Sequence, residues 1–146
     1  MNTAKHIVAA SVITIFGSAG ALAYDQAQYD AVVGGKSDCA WCDLSGADLR
    51  NIDFSGADLS GANLTGADIS GAVLRKADLS GADLTGAVVA GTDLSDSSLA
   101  GADLDQVDLS GAMLGGAVIE TAYCDWATKL PDDSKMACIG VTIERK

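Results

Sequence analysis

From Cys42 to Trp126 the chain divides into 17 five-residue units without a slip in phase. The central residue of every unit is apolar, from Leu44 through Phe54, Ile69, Leu84 and Val89 to Cys124. The residue two places earlier is alanine in 12 of the 17 units. Aspartate or asparagine directly precedes the centre in 11, and glycine closes 11. Agreement at four of five positions marks an array of one supersecondary unit rather than a globular domain.

The period also selects the conformation. Five residues of α-helix turn through about 500°, so successive leucines would move ~140° around the axis and form no stripe. In a straight strand an odd period sends successive leucines to opposite faces. The remaining solution is a short extended piece that turns a corner in every unit. Ala-x-Leu supplies the extended piece with two inward side chains. Ser-Gly supplies the corner, where glycine tolerates positive φ and serine can bond nearby backbone. Repeated winding of such units makes a solenoid.

Ala57-Asp58-Leu59-Ser60-Gly61 and Ala62-Asn63-Leu64-Thr65-Gly66 resemble the pentapeptide-repeat family, whose pattern is A-(D/N)-L-x-x. The resemblance implies an all-β solenoid, a right-handed quadrilateral β-helix with four units per coil. Seventeen units then form a little over four coils, a rod of about 20 Å at ~4.8 Å per coil. The expected organisation is a signal peptide over 1–23, an N-terminal cap over 24–41, the β-helix over 42–126 and a C-terminal cap over 127–146. Tyr29, Val32 and Val33 followed by Gly34-Gly35 fit a short capping helix, and Leu130-Pro131-Asp132-Asp133 reads as a turn.

The first 23 residues read as a secretory signal. A short basic start containing Lys5 precedes an apolar run from Ile7 to about Gly17, and Ala21-Leu22-Ala23 matches the small-x-small cleavage pattern. The apolar run falls short of the ~20 residues a membrane span needs. Cleavage after Ala23 would place the protein in the periplasm or outside the cell, without a membrane anchor. It also removes His6, the sole histidine, and leaves 8 basic and 20 acidic residues, a net charge of −12. Such a balance disfavours nucleic acid and anionic lipid. The loss of histidine excludes Ser-His-Asp and Cys-His catalysis and histidine-ligated metals.

Few places remain for chemistry. The inward positions are filled by alanine and leucine-like residues, leaving no room for a substrate pocket. Inward Thr92 and Ser97 are expected to bond wall carbonyls. Cys39-Ala40-Trp41-Cys42 is a C-x-x-C, and Cys124 and Cys138 lie downstream. In an exported chain these read as structural disulfides rather than metal ligands or a redox centre. Four units per coil, as the resemblance implies, puts Cys42 and Cys124 four coils apart, ~19 Å at ~4.8 Å per coil. That span exceeds the ~7 Å a disulfide allows between Cα atoms. The expected pairs are therefore Cys39–Cys42 and Cys124–Cys138.

The outward positions form acidic columns in which every fourth unit stacks. They read as a solvated surface, with weak cation binding as the alternative. Val73, Val88, Met113 and Val118 replace polar residues at outward positions and mark a possible contact patch on three neighbouring sides. Together these features point to a non-enzymatic structural or protein-interaction module without cofactors, monomeric or weakly dimeric. Its partner is expected to be a protein whose identity the sequence does not encode. An acidic DNA-mimic that binds topoisomerases is the alternative the family suggests, and the signal sequence opposes it.

Overall fold

The computed structural model describes residues 25–34 and 38–131. The signal peptide expected over residues 1–23 and the closing residues 132–146 lie outside that range. Between Asp38 and Lys129 the chain winds as a solenoid. With two exceptions on one wall, each outward residue forms a parallel bridge with the residue 20 positions on, as in the series Asp43, Asn63, Asp83, Asp103 and Tyr123. Four pentads therefore complete one coil. Leu44 N–H donates to Asn63 O at 2.8 Å and Asn63 N–H donates to Cys42 O at 2.8 Å. Neighbouring coils thus share main-chain bonds on each side of the bridge.

Four walls follow from this register. The first carries Asp38, Asp58, Asp78, Ser98 and Val118 outward, and the second carries Asp43 through Tyr123. The third carries Asp48, Asp68, Val88, Asp108 and Lys129, and the fourth Asp53, Val73, Asp93 and Met113. Inside, Leu44, Leu64, Leu84 and Leu104 stack with Ala62, Ala82 and Ala102 beside them, all buried. Thr92 Oγ1 donates to Ile69 O at 2.9 Å and Ser97 Oγ to Leu94 O at 2.7 Å, so both inward hydroxyls serve the wall.

Each corner is a tight turn. Ala47 N–H donates to Leu44 O at 3.1 Å, and Gly46 between them has φ +67°, the left-handed third residue of a type II turn. Trp41, Asn51, Lys76, Asp96 and Gln106 occupy the same corner position with φ of 58° to 63° despite carrying a Cβ. The serine's part in the corner differs from the sequence expectation. Asp43 Oδ1 accepts from Ser45 N–H at 3.1 Å and from Ser45 Oγ at 2.7 Å. The same latch recurs at Asp53–Ser55, Asp58–Ser60, Asp68–Ser70 and Asp108–Ser110. The outward carboxylate holds the corner's backbone, and the hydroxyl holds the carboxylate.

Helix α1, Gln26–Val33, closes the first coil. Asp25 caps it, accepting from the Ala27 and Gln28 N–H groups. Gln28 Oε1 accepts from Asp43 N–H at 2.6 Å, Asp25 N–H donates to Asp43 O at 3.1 Å, and Tyr29 Oη donates to Asp48 O at 3.1 Å. These bonds satisfy main-chain groups that an open coil would leave as an exposed edge. Val32 is buried beneath the helix.

The solenoid outruns the 42–126 boundaries at both ends. Asp38 bridges Asp58 and Cys39 sits in the core, so the first wall starts inside the stretch assigned to the N-terminal cap. At the far end Asp108 bridges Lys129, 21 residues on. The extra residue is absorbed in the turn after Cys124, where Asp125 Oδ1 accepts from the Ala127 and Thr128 N–H groups. The pentad pattern ends there while the wall continues.

Candidate interaction surface

The outer walls carry the chain's charge unevenly. Among the described residues the basic side chains are Arg50, Arg75, Lys76 and Lys129. Arg50 pairs with Asp48 at 2.7 Å and lies 3.8 Å from Asp68. Lys129 pairs with Asp108 at 2.8 Å, and Arg75 approaches Asp93 at 3.8 Å. All of these pairs lie on the third and fourth walls. The second wall and the corner after it carry Asp43, Asp83, Asp103, Asp105 and Asp125, with no ion pair to the basic side chains among the described residues.

Protonation follows that division only in part: against desolvation, hydrogen bonds from Thr85 lower Asp83, and the Gln106 backbone bond lowers Asp125. A side-chain hydrogen bond from Lys129, together with Ser110, lowers the Asp108 pKa to about 2. The Arg50 hydrogen bond likewise lowers Asp48. Asp105 moves upward, pushed first by desolvation and then by the like charges of Asp103, Asp125 and Asp83. The second wall and its corner thus gather carboxylates that, like Asp58 and Asp78 of the first wall, have no ion pair among the described residues. Among the described residues no group of three or more His, Cys, Asp or Glu side chains is arranged to hold a metal ion.

The structure places the four apolar outward residues on three walls. Val73 and Met113 share the fourth wall with Asp93 between them, Val88 lies on the third and Val118 on the first. Val73 is half-buried while the other three are exposed. Their spacing does not form one continuous apolar surface. The sequence reading passed over three aromatic side chains. Trp41 is 80% exposed and Trp126 89%, and both lie at corners flanking the second wall, whose last outward residue is the exposed Tyr123. Their signal was available as aromatic residues at corner and outward positions of the repeat.

The third wall contains an interruption. Val88 and Asp108 stand one coil apart in register but form no bridge. No bond joins Val89 N–H to Asp108 O or Asp108 N–H to Ala87 O, although both corners beside them remain bonded. An open cleft of about 410 Å³ lies here, lined by residues 86–90 with Gln106, Asp108, Ser110 and Gly111. Inward, Ala47, Ala67 and Ala87 of this column are followed by Val107, wholly buried. Its two extra methyl groups add volume between close-packed coils at this point. Ser110 Oγ donates to Asp108, and a carboxylate ionised down to about pH 2 is a poor proton acceptor at neutral pH.

The cysteines lie at opposite ends. Cys39 and Cys42 form a disulfide across the Ala40–Trp41 corner, both from inward positions. Cys124 is disulfide-bonded as well. Its expected partner, Cys138, lies outside the described residues.

The family model for pentapeptide repeats (8 copies) matches residues 37–75 and 77–116. Among solved structures, a pentapeptide repeat protein from the Arabidopsis thaliana thylakoid lumen is 32% identical, with a TM-score of 0.52. That match covers 66% of this chain and 71% of the other. HetL, a pentapeptide repeat protein involved in heterocyst differentiation regulation in the cyanobacterium Nostoc sp. strain PCC 7120, is 30% identical with a TM-score of 0.48. That match covers 64% of this chain and about half, 51%, of HetL. A further pentapeptide repeat protein from Nostoc PCC 7120 is 38% identical, with a TM-score of 0.38, over 74% of this chain and 85% of that one. No curated protein matches the chain.

Proposed function

The chain belongs to the pentapeptide-repeat family, and from that premise we propose that it is a non-enzymatic module exported to bind or brace a protein partner. The observation that carries this reading is the second wall. Its carboxylates are fixed by bonds to their own backbone, as Asp83 is to Thr85 N–H and, one coil on, Asp103 to Asp105 N–H. A rigid, uncompensated row of negative charge suits a basic protein surface, because its orientation costs little entropy on binding. Trp41, Tyr123 and Trp126 border the row and add apolar area where interfaces gain most.

Export rests on the basic start, the apolar run and the Ala21-Leu22-Ala23 site, and the Cys39–Cys42 disulfide is in keeping with an oxidising compartment. The test is cross-linking of the exported protein in its own cells, alongside a variant with Asp43, Asp83 and Asp103 changed to asparagine. The expected result is one basic partner captured by the parent and lost from the variant, with the melting curve preserved. Equal capture by both proteins would overturn the reading. So would recovery of the chain with Met1 intact. Inhibition of gyrase supercoiling by the mature protein would favour the topoisomerase-binding alternative instead.

A further inference from the structure

We propose that the Cys39–Cys42 disulfide is a redox latch on the first corner of the solenoid, opened by a dithiol reductant and closed by exchange with a disulfide oxidant, which takes up the two electrons and leaves as a dithiol. Each corner joins its flanking residues by one main-chain bond, and at this corner Cys42 N–H donates to Cys39 O at 3.2 Å. The residue in the left-handed position here is Trp41, φ +63°. A bulky side chain is disfavoured in that conformation, which glycine adopts freely and asparagine or aspartate tolerates better. Lys76, Asp96 and Gln106 adopt it too, but each lies between two coils. Among the described residues, Trp41 has a coil on one side only. Its ring lies over Gly61, in the space a Cβ there would need.

The covalent bond therefore holds a corner that its own sequence disfavours and that no preceding coil confines. Breaking it leaves the corner with one main-chain bond and the cost of the Trp41 conformation. The bonds that depend on the corner are Cys39 N–H to Asp58 O at 2.7 Å and Trp41 N–H to Ser60 O at 2.8 Å. Their loss would bare the Asp58–Ser60 carbonyls as a free strand edge.

The chemistry is thiol–disulfide exchange. A thiolate of the reductant attacks Sγ of Cys42, the less buried of the pair, and the Cys39 sulfur leaves as a thiolate. The second reductant thiol then displaces Cys42. Two electrons pass from the dithiol to the cystine, two protons end on the two cysteine thiols, and the reductant becomes a disulfide.

Amide hydrogen exchange on the mature protein tests the latch, with dithiothreitol as the reductant. Because the reductant also reaches the Cys124 bridge, a C39S/C42S variant is measured in parallel without it. The expected result in both is at least a tenfold acceleration of the amides at positions 39 and 41, with Leu64 through Leu84 unchanged. Reoxidation should reverse it in the parent. Adding Trp41→Gly to the C39S/C42S variant should restore protection of the amide at position 39, because glycine removes the conformational cost. Retained protection after reduction would make the bond a passive staple and overturn the proposal. Loss of protection along the whole rod would also overturn it, since the bond would then hold the entire fold.

Discussion

Val88 and Asp108 occupy the same column one coil apart, and theirs is the one such pair among the described residues that forms no bridge. Val107 is buried beside them where the column otherwise has alanine. Val107→Ala should close the wall. Removing two methyl groups costs about 1.6 kcal/mol of burial, and regaining two main-chain bonds returns about 2 kcal/mol. The melting temperature should therefore change little. Exchange of the Val89 and Asp108 amides should slow at least tenfold, and an unchanged rate would place the cause elsewhere.

Gly61 and Gly66 separate two costs that one substitution usually mixes. Both have left-handed φ, +64° and +65°. A Cβ at Gly66 meets nothing within 4 Å, whereas one at Gly61 runs into the Trp41 ring. Gly66→Ala should cost about 1–2 kcal/mol, the penalty of the conformation alone. Gly61→Ala should cost more, and the excess should vanish in a Trp41→Ala background. Denaturant unfolding of the parent, the three single variants and the Gly61→Ala/Trp41→Ala double variant supplies the comparison.

Much of this fold was legible because a five-residue period leaves few ways to bury one leucine per unit. The inward columns, the corner glycines and helix α1 are direct readings of the chain. The coil size was not among them, since period alone does not fix how many units complete a turn. The cleft escaped notice for a physical reason. Val107 is an ordinary apolar residue at an inward position, and the missing bridge between Val88 and Asp108 shows only once the coils are stacked. The corner role of the aspartates was also hidden, because Asp43 and Ser45 look like two solvated residues until the turn brings them together.

The register sets a sharp contrast between neighbouring positions. Leu84 is wholly buried between coils, while Ser80 lies at a corner with its hydroxyl 2.8 Å from that of Ser98. Leu84→Ala should cost about 2–5 kcal/mol, and Leu84→Asp should prevent folding by burying an unpaired charge. Ser80→Asp should stay within about 1 kcal/mol, since surface changes rarely exceed that. Equal losses in thermal unfolding would contradict the inward–outward assignment.

The two directions of carboxylate shift predict opposite responses to acid. Asp108 is held at about pKa 2 by Lys129 and Ser110, below the ordinary value of ~3.9 for an unfolded chain. Its folded form binds protons less readily, so its contribution is fully present above pH ~4 and fades as pH falls toward about 2. Asp105 is raised by desolvation and by Asp103, Asp125 and Asp83, so its sign reverses. Its ionisation opposes folding at neutral pH, and that opposition disappears once both states are protonated. Asp105→Asn should therefore raise the melting temperature at pH 7 and leave it unchanged near pH 2. Lys129→Ala should move the Asp108 titration measured by NMR upward, while the Ser110 bonds keep it below the ordinary value. A Lys129→Ala protein in which Asp108 still titrates at about 2 would show that the serine bonds suffice. An Asp105→Asn protein less stable at pH 7 would show that the second wall is not repelling itself.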